Sequence, residues 1–136
     1  MMYNEQIETL PLDALRNLQN ERLKKMLQRI YQNVPFYKTA FDTIGIHPDD
    51  IRGVEDLHKL PFTKKSDLRD NYPFEMFATP MDQVLRIHAS SGTTGKPTVV
   101  GYTQKDLDVF DEVVARSLVC AGAKPGMKLH NAYGYG

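Results

Sequence analysis

Between two runs of strand-forming residues lies a stretch that neither a helix nor a strand interior can accommodate. Positions 90–96 hold four hydroxyl residues (Ser90, Ser91, Thr93, Thr94), two glycines (Gly92, Gly95) and Lys96. Glycines let the backbone turn tightly, so that successive N–H groups converge on one concave point. Hydroxyls add rotatable donors, and a lysine supplies a point charge suited to phosphate. The stretch reads as an anion cradle with a polyphosphate as its guest. Its spacing departs from the common phosphate loop, which needs four residues between its first glycine and the Gly-Lys pair and then a Ser or Thr opening a helix. Only Thr93 and Thr94 separate Gly92 from Gly95, and Pro97 follows Lys96. Pro97 pushes Lys96 toward extended backbone. The spacing therefore predicts strand, loop, strand: Val84–His88, the loop, then Thr98–Tyr102. With no helix N-terminus on offer, the loop must work through amides, hydroxyls and Lys96.

Length and charge bound the rest. At 136 residues the chain is near the usual size of one domain, enough to bury roughly two thirds of its unfolded surface. Lys plus Arg and Asp plus Glu number 17 each, so no basic excess argues for a nucleic-acid surface. No apolar run approaches the roughly 20 residues of a membrane span, and Met-Met-Tyr-Asn-Glu-Gln lacks the pattern of a signal peptide. Cys120 is the only cysteine, which rules out an intrachain disulfide and makes the reducing cytoplasm the default compartment. It lies late in a helical pattern and reads as a packing residue. His47, His58, His88 and His130 are scattered without ligand spacing, so no zinc site is expected.

Taken in order, residues 11 to 32 read as one helix, with Pro11 in its first turn. Leu12, Leu15, Leu18 or Leu23, Met26, Leu27 and Ile30 recur at three- and four-residue steps, opposite a charged face. Val34-Pro35-Phe36-Tyr37 breaks that helix and begins a shorter one ending at Gly45, with Phe36, Tyr37 and Phe41 wedged against the first. His47–Ile51 and Gly53–Leu57 read as a turn and short helical pieces, and Leu60-Pro61-Phe62 as an extended joint. Thr63 is placed to cap a helix from Lys64 to about Asn71. Lys64, Lys65, Arg69 and Asp70 read as its solvated face. After the loop, Thr103-Gln-Lys-Asp106 reads as a capping box in its acidic form. The helix it opens carries Leu107, Phe110, Val113 or Val114 and Leu118 on one stripe and ends at Gly122. A further strand is expected from Gly126 to Tyr133. Strand, helix, strand after a glycine-rich loop points to an α/β sheet with helices packed on it.

Ser90–Thr98 resembles, without a gap, the phosphate-binding loop of the adenylate-forming enzymes: acyl-CoA synthetases, luciferases and peptide-synthetase adenylation domains. Val34–Tyr37 and Leu60–Phe74 look like the N-terminal region of the phenylacetate–CoA ligases, the aryl-acid members of that superfamily. Asn131–Gly136 looks like their next motif, which borders the acyl pocket. The resemblance implies an α/β fold in which a helical N-terminal region, residues 1–80, precedes the start of the large ATP- and acyl-binding domain, residues 81–136. Family members are several times longer, so an N-terminal fragment, inactive alone, is expected.

The resemblance implies further that Ser90, Ser91, Gly92, Thr93, Thr94, Gly95, Lys96 and Thr98 bind the nucleotide, with Lys96 also catalytic. Tyr133, Gly134 and Tyr135 would border the substrate, the two rings flanking an aryl group. ATP, a magnesium ion (Mg2+) and coenzyme A are the implied cofactors and co-substrates, and phenylacetate or a related aryl acid the partner. A homodimer is compatible with this; a nucleic acid or a membrane is not. No residue resembles a covalent nucleophile or a general base, which suits a reaction driven by positioning and electrostatics. Two other readings stay open. One is a ligase for a different aryl or acyl acid. The other, for the chain alone, is a helical interaction module without catalysis.

Overall fold

The computed structural model describes residues 2–90 and 95–132. Helices dominate up to residue 83, and a two-stranded sheet and one long helix follow, so the chain is helical first and α/β second. The helices are α1 (Glu5–Glu8), α2 (Leu12–Asn33), α3 (Pro35–Ile44), α4 (Lys65–Asp70) and α5 (Gln104–Cys120). Short 3-10 turns fill Pro48–Asp50, Val54–Lys59 and Met81–Gln83. Strands β1 (Arg86–Ala89) and β2 (Val99–Tyr102) form an antiparallel hairpin around the glycine-rich stretch.

The break between α2 and α3 is local chemistry. A residue before proline is driven from helical to extended backbone, and Val34 sits at φ −121°, ψ 103°. Its N–H closes α2 by donating to the Ile30 carbonyl at 2.9 Å, and Pro35 opens α3. The two helices therefore fold back on each other at once. Gly45, at φ 69°, ends α3 in the left-handed conformation that glycine adopts without a Cβ penalty. The reversal encloses the core. Leu23, Leu27, Phe41 and Ile51 are buried together, with Ile30, Tyr31, Tyr37 and Leu60 packed around them. The aromatic wedge forms as expected: the Phe41 ring lies 6.1 Å from Tyr31 and 6.4 Å from Tyr37. Outside the core, the Tyr31 hydroxyl donates to Asp42 at 2.6 Å and Lys38 donates to Asp42 at 2.7 Å. Those bonds, that from Lys38 first, hold the Asp42 carboxyl below its usual range.

Several local expectations are corrected. Pro11 is the N-cap of α2 rather than part of its first turn. The apolar stripe of α2 is buried only at Leu23 and Leu27; Leu12 and Met26 are exposed. Thr63 does not cap α4. The Asp67 carboxylate accepts the Lys64 N–H at 2.6 Å, while the Thr63 hydroxyl pairs with that of Tyr37 at 3.0 Å. Arg69 is half-buried and so leaves the solvated face assigned to it. Cys120 is exposed rather than packed. Residues 126–132 form no strand; the rest of that expectation, at Tyr133, lies outside the described residues. No helix among those described is long and apolar enough to cross a membrane.

Leu27, 1% exposed, is the central aliphatic contact between α2 and α3. Leu27→Ala removes its methyl groups and leaves a cavity, which is expected to cost about 2–5 kcal/mol. Denaturant unfolding of both chains measures it as a lowered midpoint with an unchanged slope.

Candidate functional site

Antiparallel pairing sets the geometry of the loop. Arg86 faces Tyr102, Ile87 faces Gly101, His88 faces Val100 and Ala89 faces Val99. One step further the Ser90 N–H donates to the Thr98 carbonyl at 3.0 Å. The Ser90 Oγ in turn accepts from the Thr98 N–H at 3.0 Å and from the Thr98 Oγ1 at 3.1 Å. Ser90 and Thr98 thus close the neck of the loop. The oxygen expected to face a ligand is the one that accepts both bonds; its own O–H stays free to donate outward.

Past the neck, Gly95 sits at φ 123° and Lys96 is exposed. The Lys96 Nζ lies 5.9 Å from the centre of the Tyr72 ring. Ser91, Gly92, Thr93 and Thr94, the middle of the expected cradle, lie outside the described residues, as do Tyr133, Gly134 and Tyr135 of the expected acyl border. Of the expected set the structure describes Ser90, Gly95, Lys96 and Thr98; it pairs Ser90 with Thr98 and sets Tyr72 beside Lys96.

What positions the hairpin was not expected from the sequence. In a strand, alternate residues share a face, which puts Gly101 opposite Ile87 and turned away from Tyr102. A Cβ on Gly101 would come within 2.6 Å of the Phe77 ring and 3.1 Å of Val84. Only a glycine lets the segment following α4 lie this close to β2. Phe77 also contacts Phe74, ring centres 5.3 Å apart, and its N–H donates to the Phe74 carbonyl at 2.9 Å. The turn that carries Tyr72 is thereby held beside the hairpin. Arg29 reaches over from α2 and donates through Nε to the Ala78 carbonyl at 3.2 Å and through Nη2 to the Thr79 hydroxyl. A glycine inside a strand run signals such a close approach, and Gly101 is the clue that sequence offered.

On the other face of the hairpin the His88 and Tyr102 rings lie 4.9 Å apart, and Tyr102 touches Phe110 at 6.3 Å. The expected capping box of α5 is present: Asp106 accepts from the Thr103 hydroxyl at 2.7 Å and from its N–H at 2.9 Å. These two bonds, with the desolvation of a partly buried site working against them and the Arg29 charge adding a smaller pull, hold the Asp106 carboxyl below its usual range. The first residues of the chain strap α5 from outside, with Asn4 donating to Glu112 at 2.8 Å and Arg116 pairing with Glu8 at 3.2 Å. A cavity of about 210 Å³ lies between the Phe77 turn and β2, lined by Leu68, Phe77, Val84, Val99 and Asp106 among others. Lys96 is not part of its wall, so the cavity and the loop are separate places.

The likeness to known proteins bears on this arrangement directly. No family model matches the chain. The phenylacetate–coenzyme A ligase of Thermus thermophilus is 63% identical over 136 residues, all of this chain and 31% of that protein. The enzyme of the same description from Escherichia coli K12 is 62% identical over 130 residues, 96% of this chain and 30% of its own length. Along essentially its whole length, this stretch is similar to part of the phenylacetate–CoA ligases. It spans about 30% of the length of the curated relatives it matches.

The fold agrees with the family. A crystal structure of 2-hydroxyisobutyryl-CoA ligase, in complex with 2-HIB-AMP and CoA, superposes with a TM-score of 0.80 at 29% identity, covering 89% of this chain and 27% of that one. The same ligase in its postadenylation state gives 0.78 at 27% identity. The helical region and hairpin match the N-terminal part of the adenylate-forming ligase fold. In this arrangement the Phe77–Gly101 contact is the joint between the helical half and the loop. Gly101→Ala is expected to cost about 1–3 kcal/mol through overpacking. Thermal unfolding measures the loss, and the paired change Phe77→Leu, which makes room for the new methyl, is expected to return part of it.

Proposed function

We propose that the protein carrying this chain activates phenylacetate as its acyl-adenylate and passes the acyl group to coenzyme A, with residues 90–98 holding the phosphates of ATP. The observation that carries the reading is identity of 58–63% to four phenylacetate–CoA ligases along essentially the whole chain. In the first step a carboxylate oxygen bonds to the α-phosphorus of ATP while the bond from that phosphorus to the β-bridging oxygen breaks, and pyrophosphate departs with the electron pair. In the second the thiol sulfur of coenzyme A bonds to the acyl carbon and gives its proton to water, while the bond from that carbon to the phosphate oxygen breaks and AMP leaves with the electron pair. Both partners of the first step are anions. Its barrier falls when fixed donors and a cation take up the charge of the leaving pyrophosphate.

Within that reading Lys96 is the catalytic cation. Ser90, Ser91, Thr93 and Thr94 supply hydroxyls, and Gly92 and Gly95 let the backbone amides converge. Thr98 fixes the neck by its bonds to Ser90. Tyr133, Gly134 and Tyr135 border the acyl group, residues 1–80 form the helical N-terminal region, and residues 81–136 begin the ATP- and acyl-binding domain. Among the described residues no group of three or more His, Cys, Asp or Glu could hold a metal; Mg2+ is read as arriving on the ATP phosphates, which suits an ion that keeps few protein ligands. A cytoplasmic setting goes with the single cysteine. A different carboxylate is the second reading, supported by the likeness of fold to a 2-hydroxyisobutyryl-CoA ligase. The far higher identity to the phenylacetate enzymes favours phenylacetate.

Lys96→Ala, made in the protein that carries this chain, is expected to slow phenylacetate-dependent ATP–pyrophosphate exchange by about 10²–10³. The melting temperature should hold, since Lys96 is exposed. Exchange at the unaltered rate would remove Lys96 from the chemistry. Exchange that runs faster with another acid than with phenylacetate would favour the second reading.

A further inference from the structure

Tyr72 belongs to no expected motif role, yet it is the residue that meets the loop's lysine. It follows α4, whose end is fixed by the Asn71 N–H to the Asp67 carbonyl at 3.1 Å and by the Asn71 side-chain amide to the same carbonyl at 2.8 Å. The Glu75 N–H closes the next turn onto the Asn71 carbonyl at 3.2 Å. Phe77 then pins the turn to β2 through the space left open at Gly101. The Tyr72 ring, 38% exposed, is therefore presented from an anchored segment rather than from a free one. The Lys96 Nζ lies 5.9 Å from its centre, at the outer edge of the range for attraction between a cation and an aromatic face.

A lysine in a glycine-rich loop carries a long side chain with many rotamers, and freezing them on a ligand costs free energy. A ring that holds the ammonium on one side lowers that cost and leaves its remaining N–H bonds open to solvent. On the reading of residues 90–98 as a phosphate loop, we infer that Tyr72 is a positioning residue. Its π-face holds the Lys96 ammonium where the polyphosphate of ATP arrives, which lowers the KM for ATP through Lys96 alone. The ring face, and not the hydroxyl, is what matters.

The test is steady-state ATP–pyrophosphate exchange by the protein that carries this chain, with KM for ATP, KM for the acid and kcat read separately. Tyr72→Phe keeps the face and is expected to leave all three unchanged. Pentafluorophenylalanine at position 72 keeps the size of the ring but inverts the charge on its face. It is expected to raise the KM for ATP about two- to fivefold, the span of an exposed cation–aromatic contact, and to leave the KM for the acid alone. Tyr72→Leu should do the same. In a Lys96→Ala background neither change should have any further effect. If Lys96→Ala slows exchange but the fluorinated ring and Tyr72→Leu leave the KM for ATP unaltered, the role of Tyr72 is overturned and the loop reading stands. The role is equally overturned if they raise that KM as much in the Lys96→Ala background, because the ring then acts on something else. If Lys96→Ala itself leaves exchange unaltered, the loop reading falls and takes the inference with it.

Discussion

The missing Cβ of Gly101 lets the two halves of this chain meet. The segment after α4 lies against β2 at a distance that no side chain on Gly101 would allow, with the Phe77 ring in the space. The support that the helical half gives the loop depends on that approach. The turn bearing Tyr72 is held beside the hairpin, and Arg29 ties the next two residues back to α2. The hairpin is otherwise a weak element, since two antiparallel strands alone are marginally stable in water. Its rigidity comes from a neighbour that the helical half delivers, and from α5 on its other side, which meets it through Tyr102 and Phe110.

The helical half was largely legible because its signals are local. Val34-Pro35 both ends α2 and starts α3, and Gly45 stops α3 in the conformation that glycine favours. The capping box at Thr103 and Asp106 was legible for the same reason, each donor finding its acceptor within three residues. The loop could be placed between two strands because Pro97 excludes a helix after Lys96, and register then brings Ser90 against Thr98. Periodicity reports which residues share a face, however, and not what covers that face. Phe110, Val113, Val114 and Leu118 share a stripe of α5, yet all four are exposed in this chain. The α2 stripe is buried over its second half only.

What sequence could not supply was any pairing across a long stretch of chain. Phe77 with Gly101, Arg29 with Ala78 and Thr79, and Tyr72 with Lys96 are set by how separate elements come together, and no spacing encodes them. Thr63 shows the same limit on a smaller scale. Its position suited a cap, but a tertiary partner, the Tyr37 hydroxyl, claimed it, and Asp67 supplied the cap instead. The candidate site follows this division. The residues that would touch phosphate stand in one contiguous motif, whereas the residues that hold the motif in place are scattered between positions 29 and 110.

The claim on which the account turns is that the polyphosphate of ATP is bound at the loop between Ser90 and Thr98. A crystal structure of the protein carrying this chain with a non-hydrolysable ATP analogue and Mg2+ tests it most directly. The account predicts the Lys96 Nζ at roughly 2.7–2.9 Å from a β- or γ-phosphate oxygen, the distance of a charge-assisted hydrogen bond, with the Ser90–Thr98 neck still closed beneath it. Phosphates bound elsewhere, with none in hydrogen-bond reach of Lys96 and the loop empty, would contradict it.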